Sequence, residues 1–141
     1  MFNLFISVYV RMITKRDMTM CKLVPLNTNE NEIMVADIKK SAIENIIDSA
    51  SLCDSITRII LFGSCIEERC SKDSDIDIAV FGNKPKNKCL SSVSYRKFMS
   101  ALNRFNDFSE SYDVLYFQDG KANNDFIMND INKGALIYAN E

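Results

Sequence analysis

One stretch of the sequence, residues 61–80 (LFGSCIEERCSKDSDIDIAV), constrains the fold more than any other. Asp75 and Asp77 lie two residues apart in it, and side chains at that spacing share one face of a β-strand. The apolar side chains that alternate with them then face the other way, into a core: Ile76, Ile78 and Val80. The stretch therefore predicts a strand that is buried on one face and carries two carboxylates at the start of the other.

A Gly-Ser pair precedes these aspartates and ends an earlier apolar run. Gly63 offers a bare backbone and Ser64 a hydroxyl, and the free N–H groups of a helix that starts there attract an anion. Two carboxylates beside such a turn suit Mg²⁺ on a triphosphate, because the metal neutralises charge that no side chain balances alone. A lone Gly-Ser pair is usually a plain turn and a lone Asp-x-Asp pair a solvated strand end, so the prediction depends on their joint occurrence.

A calcium-binding loop is the other common use of closely spaced aspartates. Such a loop, counted from Asp73, needs glycine at its sixth position and glutamate at its twelfth. The chain has Ile78 and Lys84 at those positions, which excludes an EF-hand.

The Gly-Ser pair, followed after ten residues by Asp75-x-Asp77, resembles the motif of the DNA polymerase beta-like nucleotidyltransferases, in particular the minimal nucleotidyltransferases (MNT). That family carries a third carboxylate on a later strand, and Asp113 in SYDVLYF matches it. The closing INKGALIY is similar to the family's last helix, glycine and short strand, so the likeness covers about residues 31–140. It implies a small α/β (α+β) fold in which helices pack on a mixed β-sheet, the polymerase-beta-like palm.

The resemblance also implies roles for individual residues. Asp75, Asp77 and Asp113 would be the catalytic and metal-binding residues, holding two Mg²⁺ ions, and Gly63 and Ser64 would bind the nucleotide. The activity would be transfer of a nucleoside monophosphate, AMP from ATP, to a hydroxyl. MNT proteins commonly act as antitoxins that transfer AMP to a tyrosine of a HEPN-type toxin, so such a protein is the expected partner. Two alternatives stay open: a binding module that neutralises its partner by contact, and a transferase for a small molecule of the aminoglycoside type.

Departures from the family pattern lie beside the motif. Family members follow the Gly-Ser pair with Arg-Ala-Arg-Gly, whereas residues 65–68 of this chain are Cys-Ile-Glu-Glu. Two expected cations are therefore missing, and a glutamate near a triphosphate is repulsive. Arg69 and Lys72 are the candidate replacements. Asp113 also has a plain alternative, because an aspartate on a strand can simply face solvent.

Composition narrows the class of protein. With 141 residues, 47% of them hydrophobic, the chain should form one domain without the acceptor-binding domains of larger superfamily members. A net charge of −2 gives no broad basic field, so nucleic acid is not expected as a partner. The absence of histidine excludes Ser-His and Cys-His nucleophiles and His-ligated zinc. Five cysteines without a C-x-x-C pair predict reduced thiols in a cytoplasmic protein.

We expect residues 1–26 to be a dispensable N-terminal extension and residues 27–141 to be the nucleotidyltransferase domain. The apolar start, MFNLFISVYVRMI, is too short to span a bilayer and lacks the leading positive charge and cleavage site of a secretion signal. We therefore expect no membrane association. An added strand or a partner-binding segment is the competing interpretation.

The rest of the chain reads as alternating elements. Polar residues 27–31 are expected to cap a helix that runs to about residue 51, with four apolar residues on one face: Ala36, Ile43, Ile47 and Ala50. Strands are expected at residues 58–62, 76–81 and 112–117. A later stripe at helical spacing predicts a core-facing helix: Tyr95, Phe98, Met99, Leu102 and Phe105.

Overall fold

The computed structural model describes residues 21–123 and 126–140, and within them it contains two β-sheets. The first is an antiparallel hairpin of β1 (Leu23–Asn27) and β2 (Glu32–Ala36). The second has four strands in the order β5-β4-β3-β6. Their bounds are Ile56–Phe62 for β3, Ile76–Gly82 for β4, Tyr112–Gln118 for β5 and Ala135–Ala139 for β6.

Helices connect the strands. Their bounds are Lys40–Ala50 for α1, Lys86–Leu90 for α2, Val93–Arg104 for α3 and Ile127–Asn132 for α4. Two single turns of 3₁₀-helix, Asp37–Lys39 and Gly63–Ile66, precede α1 and follow β3. Ser92 caps α3, since its hydroxyl accepts a hydrogen bond from the Tyr95 N–H at 3.2 Å.

The four-stranded sheet is mixed, as the sequence predicts. β3 pairs antiparallel with both β4 and β6, whereas β4 pairs parallel with β5. The parallel connection between β4 and β5 runs through α2 and α3, because a parallel pair needs a crossover rather than a hairpin. This arrangement brings the starts of β4 and β5 to the same end of the sheet.

The main core lies between one face of this sheet and the helices α1 and α3. Ile76, Ile78 and Val80 are fully buried there, as their alternation with the aspartates predicts. From α3, Phe98 and Leu102 are also fully buried, which confirms the core-facing stripe. Full burial of each such side chain stabilises the fold by about 1.5–3 kcal/mol relative to exposure.

A smaller apolar cluster covers the opposite face of the sheet. It joins Phe62 of β3 and Phe81 of β4 to Ile131 of α4. The turn after α4 approaches β3 so closely that a Cβ on Gly134 would lie 2.5 Å from the Leu61 carbonyl oxygen. Glycine is therefore required at the turn that holds α4 over this face.

The helix expected from residues 27–31 onward is wrong in its first part. Residues 28–31 form the turn between β1 and β2, where the Thr28 hydroxyl donates to the Asn31 carbonyl at 3.0 Å. Glu32–Ala36 is a strand, and α1 begins only at Lys40. The physical reason is strand pairing. Residues 32–36 show only a weak helical pattern of apolar residues, and β1 offers them hydrogen-bond partners as a strand.

The start expected for the domain, residue 27, falls inside β1. Leu26 is buried in the main core, so residues 23–26 belong to the folded body. The N-terminal apolar run lies outside the described residues, and its dispensability stays a prediction. No helix within the described part of the chain has the length and apolar character needed to cross a membrane.

Candidate functional site

Asp77 and Asp113 lie side by side at one end of the sheet. They are register partners on the parallel strands β4 and β5. Paired residues on neighbouring strands project to the same face, with the strands about 4.8 Å apart. That face is the one covered by α4, because Ala79 and Phe81 follow Asp77 on it at two-residue steps. Asp113 is exposed and Asp77 is half-buried.

The Gly-Ser turn lies against the first of these carboxylates. Gly63 directly follows Phe62, the register partner of Asp77 in β3. It has a φ of 78°, and a Cβ added to it would overlap the Asp77 carboxylate. The positive φ and the close contact each require glycine, which explains why glycine occupies position 63.

The remaining two predicted site residues lie next to this arrangement. Ser64 is half-buried in the 3₁₀ turn Gly63–Ile66, and its carbonyl accepts from the Glu67 N–H at 2.9 Å. Asp75 is exposed and stands one residue before β4 begins. The Cys65 thiol, whose Sγ donates to the Asp75 carbonyl oxygen at 3.5 Å, fixes the backbone there.

A cleft of about 370 Å³ joins Asp77 and Asp113 to the turn and to α4. Its other lining residues come from the end of β3, the segment after it, and the helix and turn before β6: Phe62, Gly63, Ile66, Glu67, Arg69, Ile127, Asp130 and Lys133. Asp130 and Lys133 escaped sequence reasoning. Asp130 lies in α4 and Lys133 directly after it, and no spacing in the sequence connects either residue to the aspartates.

The surroundings of Asp77 raise the pKa of its carboxyl group. Burial raises the pKa of its carboxyl group above the ordinary value, and the negative charges of Asp113 and Asp75 raise it further. The Arg69 guanidinium acts in the opposite direction. The three aspartates therefore lie close enough to interact, and a bound cation would relieve the repulsion that acts on Asp77.

Arg69 is the cation whose charge acts on Asp77. It forms an ion pair with Glu67 through its Nε, and both side chains are largely exposed at the edge of the cleft. Its hydrogen bond with Glu67 raises the pKa of Arg69, which keeps the guanidinium charged. Of the two candidate replacements for the missing arginines, Arg69 lines the cleft. Lys72 is absent from the cleft lining, and its carbonyl oxygen accepts from Lys39.

The altered residues at 65 and 67 have different surroundings. Glu67 lines the cleft, whereas Cys65 is fully buried in the main core. Burial first, and then the neighbouring Cys70, raise the pKa of the Cys65 thiol to about 12, so the thiol stays protonated. Position 65 therefore does not present a side chain to the cleft, and no arginine fits there.

The chemistry of the donor set suits a hard divalent cation. Carboxylate oxygens are the ligands that Mg²⁺ prefers, and the missing Cβ of residue 63 makes room for the Asp77 carboxylate. Within residues 21–123 and 126–140, however, no three acidic or cysteine side chains are grouped closely enough to hold one ion. Ligation by all three aspartates stays a prediction.

Comparison with known protein families agrees with this geometry. The family model described as Polymerase beta, Nucleotidyltransferase matches residues 44–141, which include every predicted site residue. No curated protein matches the chain at a significant level.

Proposed function

The chain belongs to the polymerase beta nucleotidyltransferase family, and we propose that it transfers AMP from ATP to a hydroxyl in a metal-dependent reaction. One observation carries the proposal. Asp77 and Asp113 face the same cleft from paired strands, beside the Gly63 turn. This is where a triphosphate and its metal would meet the carboxylates.

The roles follow from position. Asp75 and Asp77 would hold the Mg²⁺ that accompanies the triphosphate, and Asp113 would share a second ion with them. Bound Mg²⁺ neutralises phosphate charge and lowers the pKa of a coordinated hydroxyl. Gly63 and Ser64 would approach the outer phosphates with backbone N–H groups and a hydroxyl.

Positioning and proton transfer account for the rest of the reaction. The acceptor oxygen attacks the α-phosphorus in line, the bond from that phosphorus to its bridging oxygen breaks, and pyrophosphate leaves. Asp113 is the exposed carboxylate of the pair, so it is the group that can accept the hydrogen bond, and then the proton, of the incoming hydroxyl.

Arg69 and Lys133 are the cations available to the phosphates. They line the cleft together with four carboxylates: Glu67, Asp77, Asp113 and Asp130. An acidic cleft of this kind needs both a metal and these cations before it can accept a triphosphate. Arg69 in particular offers a planar donor set suited to phosphate, once it leaves Glu67.

For the acceptor we propose a tyrosine of a HEPN-type partner protein in the cytoplasm, with the chain acting as its antitoxin. The support for this finer assignment is the MNT-like motif spacing around Gly63 and Asp75. A second candidate is a binding module that neutralises the partner by contact alone. Two observations favour that alternative: Glu67 stands in the cleft, and no tight metal cluster is present among the described residues.

One experiment separates the two. The protein is incubated with Mg²⁺, labelled ATP and the proposed HEPN-type partner, and both label transfer and the partner's toxicity are measured. Wild type and Asp73→Asn should label the partner, whereas Asp77→Asn and Asp113→Asn should not. Asp73 is a matched control, because it is an exposed aspartate near the motif that does not line the cleft. Equal neutralisation by all four proteins without any label would favour the binding module.

A further inference from the structure

Lys39 is almost fully buried, at 1% exposure, although the proposed reaction gives it no role. It ends the 3₁₀ turn before α1, and its side chain points into the protein. The ammonium donates to the Lys72 carbonyl oxygen at 2.9 Å and to Glu110 Oε2 at 2.6 Å. A lysine is rarely buried to this extent unless it is paired, so these two contacts account for its position.

The two acceptors belong to the segments that lead into the site. Lys72 lies three residues before Asp75, and Glu110 lies three residues before Asp113. The segments are otherwise joined at this point by the Ile76 N–H, which donates to the Ser111 carbonyl at 2.9 Å. The buried ammonium of Lys39 therefore joins the two loops that lead into β4 and β5.

Stability alone does not explain a pair of this kind. Removing two charges from water is costly, and replacing a buried ion pair by apolar side chains of similar volume is often neutral or stabilising. A simple electrostatic role does not explain it either. A positive charge near the carboxylates would weaken the binding of a cation, so removing it would strengthen cation binding.

We propose that Lys39 is a positioning residue for the candidate site. By holding the Lys72 carbonyl and the Glu110 carboxylate together, its ammonium sets the separation between the carboxylates of Asp77 and Asp113. The proposal rests on the proposed function, because that separation matters for the binding of Mg²⁺. Groups that hydrogen-bond metal ligands without touching the metal typically change metal affinity by about 10–100-fold when they are removed. Lys39 acts one step further away, through the segments that precede the two strands, so we expect the lower end of that range.

The main test replaces the whole pair, with Lys39→Met and Glu110→Met together. This change leaves the net charge unaltered and leaves no buried charge behind. Its control is Arg58→Met with Asp119→Asn, which removes an ion pair from the far end of the sheet. Three quantities are measured: the melting temperature, the affinity for Mg²⁺ alone by calorimetry, and the hydrogen exchange of the Ile76 amide.

The double Met variant should keep a melting temperature close to that of wild type. Its affinity for Mg²⁺ should fall by about 10-fold or more, and the Ile76 amide should exchange faster relative to amides at the centre of β3. The control should match wild type in both respects. Wild-type Mg²⁺ affinity in the double Met variant would overturn the proposal.

Two further outcomes remain decisive. If the double Met variant does not fold, Glu110→Gln and Glu110→Ala decide, because both remove the same charge and only glutamine keeps an acceptor for Lys39. Glutamine should retain the Mg²⁺ affinity that alanine loses, and equal affinities would overturn the proposal. If wild type binds no Mg²⁺ alone, the affinities are compared with Mg-ATP instead. If wild type binds neither, the proposed function fails, and the Ile76 amide decides separately: unchanged exchange in the double Met variant would refute the role of Lys39.

Discussion

Neutralising Asp77 should make the metal-free protein more stable while removing its response to Mg²⁺. The Asp77 carboxylate is half-buried, and its charge is opposed by the charges of Asp113 and Asp75. Asp77→Asn keeps the shape of the side chain and removes that repulsion. A residue that serves only the fold would show the opposite behaviour, since substituting it would lower stability.

The magnitude follows from the strand spacing. Carboxylates on paired strands lie about 5–6 Å apart, and their repulsion is about 0.8 kcal/mol at the dielectric constant of water and about 3 kcal/mol at an effective value of about 20. Because Asp113 is exposed, the lower end applies, and we expect a gain of about 1 kcal/mol. That corresponds to a rise of about 3 °C in melting temperature for a domain of this size.

The gain should depend on pH in a definite direction. The pKa of Asp77 is raised in the folded state, so the folded protein binds this proton more tightly than the unfolded chain does. The carboxylate therefore destabilises the fold above its raised pKa, and the penalty disappears as the pH falls through that pKa towards the ordinary value. The advantage of Asp77→Asn should be present at neutral pH and absent in acid.

Differential scanning calorimetry with EDTA, and then with Mg²⁺, measures both effects. Wild type and Asp73→Asn should melt higher when Mg²⁺ is added, and Asp77→Asn should not respond. A lower melting temperature for Asp77→Asn in EDTA, or an undiminished rise with Mg²⁺, would refute the reasoning.

Three further predictions concern the turn, the altered segment and the N-terminus. Gly63→Ala should lower the free energy of unfolding, measured in urea, by about 1–2 kcal/mol and abolish Mg-ATP binding. The reasons are that residue 63 has a positive φ and that the added methyl group would overlap the Asp77 carboxylate. Unchanged stability would contradict this prediction. Glu67→Arg should tighten Mg-ATP binding by about 1 kcal/mol at low salt and by less at high salt. Cys65→Arg should instead destabilise the fold, because the new charged side chain would replace one that is fully buried. Equal calorimetric affinities for wild type and Glu67→Arg would show that Glu67 does not face the phosphates. Deletion of residues 1–17 should leave the melting temperature unchanged, and a large fall would show that the segment completes the core.

Local patterns in the sequence were sufficient to predict the strands that carry the site. β4 begins at Ile76 as predicted, because aspartates that alternate with branched apolar residues favour a strand with one buried face. β5 begins at Tyr112, also as predicted. The hairpin β1–β2 was missed because its stability depends on pairing between two short segments, and pairing is not visible in the spacing of either one.

The other residues of the cleft were harder to predict from the sequence than its aspartates. The sequence indicated that Asp113 could lie with Asp77, but the contact depends on the register of two strands separated by two helices. Lys133 reaches the cleft because Gly134 lets the turn approach β3. Likewise, only the folded structure distinguishes the buried Cys65 from the exposed Glu67 two residues later.

The central claim is that this cleft binds a nucleoside triphosphate through a metal held by the paired aspartates. Calorimetric titration with ATP tests it most directly, in wild type with Mg²⁺, in wild type with EDTA, and in Asp113→Asn with Mg²⁺. We predict binding in the first case alone, with Asp73→Asn behaving as wild type. Equal affinity for ATP in EDTA, or in Asp113→Asn, would contradict the account.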